Sequence, residues 1–137
     1  MSLVLDSSVT LAWLHSDELT EPVRLVFDRV TSTRAWVPTL WRLEVANALH
    51  MAVRRGRIDA NFRDASLSDL ALLNIATDPE TEVFAWSTTL QLAQTYQLTV
   101  YDASYLELAQ RMSLPLATLD QELRHAGQAV GIALLGL

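Results

Sequence analysis

The chain contains no cysteine and no lysine. The first absence excludes disulfides and thiolate metal sites. The second excludes chemistry that rests on an ammonium group: a P-loop, a Schiff base, a kinase lysine. All ten basic residues are arginines, set against sixteen acids, for a net charge of -6. That balance argues against a broad electrostatic surface for nucleic acid. It leaves a nuclease open, because carboxylates clustered without their metal would carry much of the negative charge. Half of the residues, 50%, are hydrophobic, yet no apolar run reaches the roughly 20 residues of a membrane span. No basic region precedes an apolar stretch at the N-terminus, so no signal peptide or membrane partner is expected. The expected compartment is the cytoplasm. There is no internal repeat, low-complexity tract or linker, and 137 residues suit one domain, 1–137, with a real core.

What is present alternates between strand and helix. Leu3-Val4-Leu5 is a short apolar run that suits a buried central strand. A short amphipathic segment follows over 9–14. Thr20 is the expected cap of a helix carrying Val23, Val26, Phe27 and Val30 at helical spacing, with Glu21 and Pro22 in its first turn. Residues 35–37 are a second strand, closed by Pro38. Thr39 is expected to cap a long helix running to Arg55, with Leu43, Ala46, Leu49 and Val53 inward and Gly56 as its stop. Asp59 is expected to cap the next helix, with Phe62, Leu67, Leu70 and Leu73 inward. Residues 74–77 are a third strand and Asp78-Pro79-Glu80 a turn. The pattern predicts helices over 84–97, with Leu90 and Ala93 inward, and from Asp102 to Met112. A strand over 115–119, a short helix to Gly127 and a last strand over 131–135 complete the chain. Alternation of this kind predicts an α/β fold: a parallel sheet of about five strands between two helical layers.

Four acids stand out against this frame. Asp6 and Asp120 each follow an apolar strand and precede a helix. In a parallel sheet both would sit at the carboxyl edge, where open α/β sheets bind ligands. Asp102 opens a helix after an extended lead-in and can reach the same edge. Glu44 lies within a helix, on a stripe with Leu40, Asn47 and Met51 that borders the apolar one, so it should be partly buried. Taken singly, Asp6 reads equally well as a helix cap, Asp102 and Asp120 read better as caps, and Glu44 could be an ordinary solvated helix residue. Taken together they need a counter-charge. At about 5 Å and an effective dielectric near 20, each like-charged pair repels by on the order of 3 kcal/mol. Oxygen-only ligation of Mg²⁺ or Mn²⁺ would relieve that, and such an ion can activate water and polarise a phosphodiester. His15, His50 and His125 have no ligand spacing. The Arg54, Arg55, Arg57 group suits a helix end better than RNA. Trp13, Trp36, Trp41 and Trp86 suit core or interface positions.

In series, four stretches carry a resemblance to a known family. They are Leu5-Asp6-Ser7-Ser8, Glu44 through Asn47-Ala48-Leu49, Tyr101-Asp102-Ala103 with Tyr105, and Leu116-Ala117-Thr118-Leu119-Asp120. In order and spacing the chain resembles PIN-domain ribonucleases, specifically the VapC-type toxins of bacterial and archaeal toxin–antitoxin pairs. The resemblance implies an α/β/α sandwich, metal-dependent endonucleolytic cleavage of RNA, a cognate antitoxin that blocks the site, and a homodimer. It assigns Asp6, Glu44, Asp102 and Asp120 to the catalytic and metal-binding positions. It matches Ser7, Asn47 and Thr118 to polar neighbours that orient carboxylates or waters.

Two other classes compete. An aspartyl phosphatase with Asp6 as nucleophile fits the strand-end acid, but enzymes of that kind rely on a lysine near the phosphate. A PIN-like module that acts mainly by docking a partner would use apolar residues of the early helices, such as Trp13 or Phe27, as a groove for an antitoxin helix.

Overall fold

The computed structural model describes all 137 residues, Met1 to Leu137. Five short strands form one sheet: β1 (Leu3–Leu5), β2 (Ala35–Val37), β3 (Ile75–Thr77), β4 (Leu116–Ala117) and β5 (Leu134–Leu135). Their order is β3-β2-β1-β4-β5, and every neighbouring pair is parallel. Parallel neighbours need crossover connections, and helices supply them. α1 (Ser7–Trp13) and α2 (Glu21–Ser32) lead to β2, and α3 (Trp41–Arg54) and α4 (Ala60–Leu70) lead to β3. α5 (Thr88–Tyr96) and α6 (Val100–Met112) lead to β4, and α7 (Gln121–Ala129) leads to β5.

The handedness of crossovers decides which face each helix covers. The chain steps outward from β1 through β2 to β3, then returns past β1 to lay down β4 and β5. Right-handed connections therefore put α1 to α4 on one face and α5 to α7 on the other. The packing agrees: α1 meets α2 and α3, α3 meets α4, and α6 meets α5, α7 and β1. In the middle of these layers Leu3, Val4 and Leu5 are fully buried. This reversal makes the β1/β4 pair the topological switch point, whose carboxyl ends border a crevice. No helix is long and apolar enough to cross a membrane.

Four local expectations need correction. The long helix is capped by Leu40 without a side-chain bond, not by Thr39, and its buried line is Trp41, Val45 and Leu49. Leu43 is 75% exposed. Trp41 is the largest apolar group on that helix, and its indole N–H finds Thr10 Oγ1 at 3.2 Å in the core. Turning the helix to bury it carries Leu43 outward. Thr39 instead donates its amide to Thr81 Oγ1 at 3.2 Å. The helix expected over 84–97 begins only at Thr88, after a 3₁₀ turn, Thr81–Val83. Phe84 is held in that connection with its ring under the Arg111 guanidinium, 4.7 Å away. Leu90 is accordingly exposed, Ala93 buried, and Trp86 stands 93% exposed. In α4 the buried residues are Ser66 and Leu70, whereas Phe62 faces solvent. Finally, the helix of Asp102 starts at Val100, and Thr99 is its cap.

Candidate active site at the carboxyl edge of the sheet

Asp6 follows β1 directly and is 4% exposed. Its backbone is extended and its side chain caps nothing, so the capping alternative fails for this residue. The register explains what it does instead. Val4 pairs with Leu116 and Leu5 with Ala117, which brings the next residues, Asp6 and Thr118, side by side. Thr118 Oγ1 donates to Asp6 Oδ2 at 2.8 Å, and Ser8 Oγ donates to the same oxygen at 2.6 Å. Ser8 in turn accepts the Leu119 amide at 3.0 Å, and Thr118 accepts the Asp120 amide at 3.1 Å. Arg124 clamps the backbone from behind, donating to the carbonyls of Thr118 at 2.7 Å and Leu135 at 3.0 Å. Gly136 completes this support: at φ +109°, its Cβ would lie 3.3 Å from the Thr118 carbonyl oxygen.

Glu44 enters from the first turn of α3, half-buried beside Trp41 and Val45. The buried Tyr105 hydroxyl donates a short hydrogen bond to Glu44 Oε1. Tyr105 is one turn along α6 from Asp102, so one helix face presents both groups. Asp102 lies in the first turn of α6, where its amide donates to the capping Thr99 Oγ1 at 3.1 Å. Its carboxylate is thus free of capping duty. Asp120 does both jobs. Its Oδ1 caps α7 through the amides of Glu122 at 2.9 Å and Leu123 at 3.2 Å. One carboxylate oxygen of Asp120 remains for a ligand.

The four acids feel one another. Burial raises the pKa of Asp6, and the nearby Asp120 adds to the rise, against the Ser8 and Thr118 hydroxyls that lower it. Burial also raises Glu44, with Asp6 and Asp102 adding repulsion that the Tyr105 hydrogen bond only partly offsets. Asp102 is pushed up to about 6 by burial, then by Asp120 and Asp6. Burial and the Glu44 carboxylate push the Tyr105 hydroxyl well above its ordinary range, so it remains a donor. No arginine pairs with any of the four; the ion pairs of the chain lie at Arg24, Arg63 and Arg111.

The acids sit where the sheet presents ligands, and the sequence matches a known domain over most of its length. The PIN domain family model covers residues 3–129. The chain belongs to the PIN-domain family. Ribonuclease VapC9 of Mycobacterium tuberculosis is 29% identical over 129 residues, which span 93% of this chain and 92% of that protein. The crystal structure of PAE2754 from Pyrobaculum aerophilum superposes with a TM-score of 0.65 at 24% identity, covering 98% of this chain and 83% of that one. The structure of VapBC2 from Rickettsia felis, bound to a DNA fragment from their promoter, superposes with a TM-score of 0.66 at 10% identity, covering 98% and 97%.

A PIN-domain site assembled this way uses some neighbours that sequence reading named and others that it did not. Thr118 bonds Asp6 as described. Ser7 gives Asp6 its backbone amide and lies beside the Tyr105 hydroxyl. Asn47 is exposed, one turn beyond Glu44. Ser8 and Tyr105 went unassigned as partners of the acids. The signal for Ser8 is its spacing, because a hydroxyl two residues after an Asp can turn back to it. The signal for Tyr105 is a phenol on an otherwise buried helix face, whose O–H needs a polar partner.

The donor set suits a hard divalent cation, since it is all oxygen, net negative and without a cation of the protein's own. No three His, Asp or Glu side chains form a group that could hold an ion by themselves. Mg²⁺ keeps several waters and takes one or two carboxylates, with phosphate oxygens completing its shell.

Proposed function

We propose that this PIN-domain chain is an endoribonuclease, the toxin of a type II toxin–antitoxin pair, and that it hydrolyses RNA phosphodiesters with Mg²⁺ or Mn²⁺. The observation that carries this reading is the gathering of Asp6, Glu44, Asp102 and Asp120 at the switch point, with proton affinity raised at Asp6, Glu44 and Asp102 and no arginine paired with any of the four. The VapC ribonuclease relative supports the RNA substrate and the toxin class. A divalent cation bound there would polarise the scissile phosphate and lower the pKa of the attacking water. The chain's own part is to hold and aim. Asp6 and Asp120 would hold such an ion from the two strand ends, with Ser8 and Thr118 fixing the Asp6 carboxylate. Glu44 and Asp102 would hold it from α3 and α6, with Tyr105 fixing Glu44. In-line attack at phosphorus leaves a 5′ phosphate and a 3′ hydroxyl.

The partners follow from the same reading. A cognate antitoxin is supported by the likeness to a solved toxin–antitoxin complex from Klebsiella pneumoniae. A cleft of about 530 Å³ borders the site, with Leu11, Val23, Leu119 and Leu137 as its apolar lining and Ser8, Glu18 and Thr20 as its polar lining, and it suits an amphipathic antitoxin segment. Trp13 and Phe27 stack edge to face nearby on α1 and α2, with ring centroids 5.2 Å apart. A homodimer has an apolar face available at Val83 and Trp86, which are 68% and 93% exposed. The compartment that brings RNA and antitoxin together is the cytoplasm.

The first test is a thermal melt of chelator-treated protein with Mg²⁺ or Mn²⁺. At about 100 times the dissociation constant the ion adds roughly 2.7 kcal/mol, a rise of several degrees. That rise should vanish in Glu44→Gln and Asp102→Asn. No rise at ~20 mM metal, beyond the weak end of protein Ca²⁺ sites, would defeat the metal reading and leave partner docking as the function.

A further inference from the structure

The four carboxylates account for chemistry at phosphorus but leave open what holds the rest of an RNA. An open groove of about 530 Å³ lies between the end of α5 and the exposed face of α7, lined by Tyr96, Gln97, Gln121, Glu122 and His125. Its volume is in the range of small-molecule sites. Both walls are tied to the acid cluster through the backbone. Gln97 is two residues before Thr99, the cap of the helix that carries Asp102. Gln121 and Glu122 directly follow Asp120 and open α7. The groove therefore adjoins the position a scissile phosphate would take.

Its chemistry favours one part of a nucleotide. No arginine lines it, and Glu122 stands in it two residues from Asp120, so a phosphate is repelled. Gln121 and His125 stack at i, i+4 on α7, while Ala126 and Ala129 leave the floor low. Gln97 faces them from the α5 end, held in the left-handed region at φ 56°. The carboxamides of Gln97 and Gln121 and the carboxylate of Glu122 are exposed and make no side-chain bond within the chain. Half-buried Tyr96 supplies an aromatic surface. Carboxamides and carboxylates read base edges, and aromatic rings stack on them.

We propose that this groove is a nucleobase subsite, which takes from RNA held at the four carboxylates a base carrying an exocyclic amino group. Adenine, cytosine and guanine each offer an amino donor to the acceptor-only Glu122. Uracil turns two carbonyl oxygens and a single N–H toward the same edge. The inference rests on the ribonuclease reading for its setting, but the groove's affinity for a base does not depend on the metal.

Two measurements test it on the full chain. The first titrates metal-free, isotopically labelled protein with 5′-AMP, CMP, GMP and UMP, and with ribose 5-phosphate, in chelator. The side-chain amides of Gln97 and Gln121 should shift with at least one amino-bearing nucleotide, and much less with UMP or ribose 5-phosphate. Equal shifts with ribose 5-phosphate, or none with any nucleotide, overturn the base subsite. The second sequences the ends left when a randomised RNA pool is cut by wild type and by Gln97→Gly/Gln121→Ala. Glycine suits the positive φ, and both positions are exposed, so the variant should melt with wild type. The preference for an amino-bearing base over uridine, at one position beside the cut, should collapse by about tenfold, the loss of one good base contact. An unchanged preference overturns the inference. Base-selective shifts in a protein that cuts no RNA would uphold the subsite and reject the ribonuclease reading.

Discussion

Asp6 and Asp78 each follow a strand of one sheet, β1 and β3, and are equally buried at 4% and 3% exposure. Their surroundings differ in one respect. Arg111 reaches Asp78 Oδ2 at 2.5 Å and Glu107 Oε2 at 2.7 Å, with its guanidinium over Phe84. Asp6 has two hydroxyl donors and three acids for neighbours. Burial pushes both carboxylates up, but hydrogen bonds from Arg111, the Glu80 amide and Thr81 more than reverse this for Asp78, which ends below its ordinary value. Asp6 ends above its own. Both side chains are closed to solvent, so exclusion from solvent alone does not mark a site. What marks it is the missing counter-charge. The β3 cluster is complete and fastens the 3₁₀ connection to α6. In the function proposed above, a cation from outside would complete the β1 cluster.

The contrast can be broken most directly at Arg111. Arg111→Met would strand Asp78 and Glu107, each 3% exposed, without their cation. The loss should be on the order of 3–5 kcal/mol, read as a lower urea midpoint. Adding Asp78→Asn and Glu107→Gln should restore much of it. A stable Arg111→Met would mean that the ion pair does not hold the β3 edge together. Next in size is Tyr105→Phe, which removes the donor to Glu44 and should cost about 1.5 kcal/mol, as for a hydrogen bond to a charged group. It should also weaken the melt response to Mn²⁺, because Glu44 is then free to turn. A smaller effect of opposite sign is expected from Asp6→Asn. The metal-free protein should gain about 1 kcal/mol at pH 7 through relief of repulsion, while the rise with metal disappears. A variant melting below wild type would show that the Ser8 and Thr118 bonds outweigh the crowding.

The sequence showed more of the site than of the supports around it. Asp6 and Asp120 were legible because strand, acid and helix follow one another locally, and a parallel sheet puts both acids on one edge. Glu44 was legible through its place beside an apolar stripe, although the stripe itself was misplaced. Periodicity alone could not choose between Leu43 and Trp41, since both lie on apolar lines. The choice fell to Trp41 through Thr10, 31 positions away. The late start of α5 likewise depends on Phe84 meeting Arg111 from another helix. Tyr105 with Glu44 and Arg111 with Asp78 are contacts between elements, and no local pattern names such partners, whereas Ser8 meets Asp6 only two residues away. The capping alternatives were settled only by geometry: Thr99 replaces Asp102 as the cap, Asp6 caps nothing by its side chain, and Asp120 caps with a single oxygen.

The finest expected difference between the two clusters is in pH. Asp102, pushed up to about 6 from an ordinary 3.8, binds more protons in the folded than in the unfolded protein across that interval. Its contribution to metal-free stability is therefore full below about pH 4 and is lost as pH rises to about 6. Asp6 and Glu44 act in the same direction. Water screens the half-buried Asp102, so its own share should be about 1 kcal/mol or less. Asp78 runs the other way: its pKa is lowered, and its contribution is present above the ordinary value and lost as pH falls through the folded one. Metal-free stability should thus fall on both sides of a maximum in mildly acidic solution, and urea midpoints from pH 3 to 8 would trace it. Asp102→Asn should flatten the limb between pH 4 and 6 and leave the acid limb in place. Saturating Mn²⁺ should reverse the slope of that upper limb, because the ion competes with the protons that the three acids hold. If the limb kept its slope in Asp102→Asn and in Mn²⁺, the crowded carboxylates would not be its cause, and the distinction between the two clusters would rest on Arg111 alone.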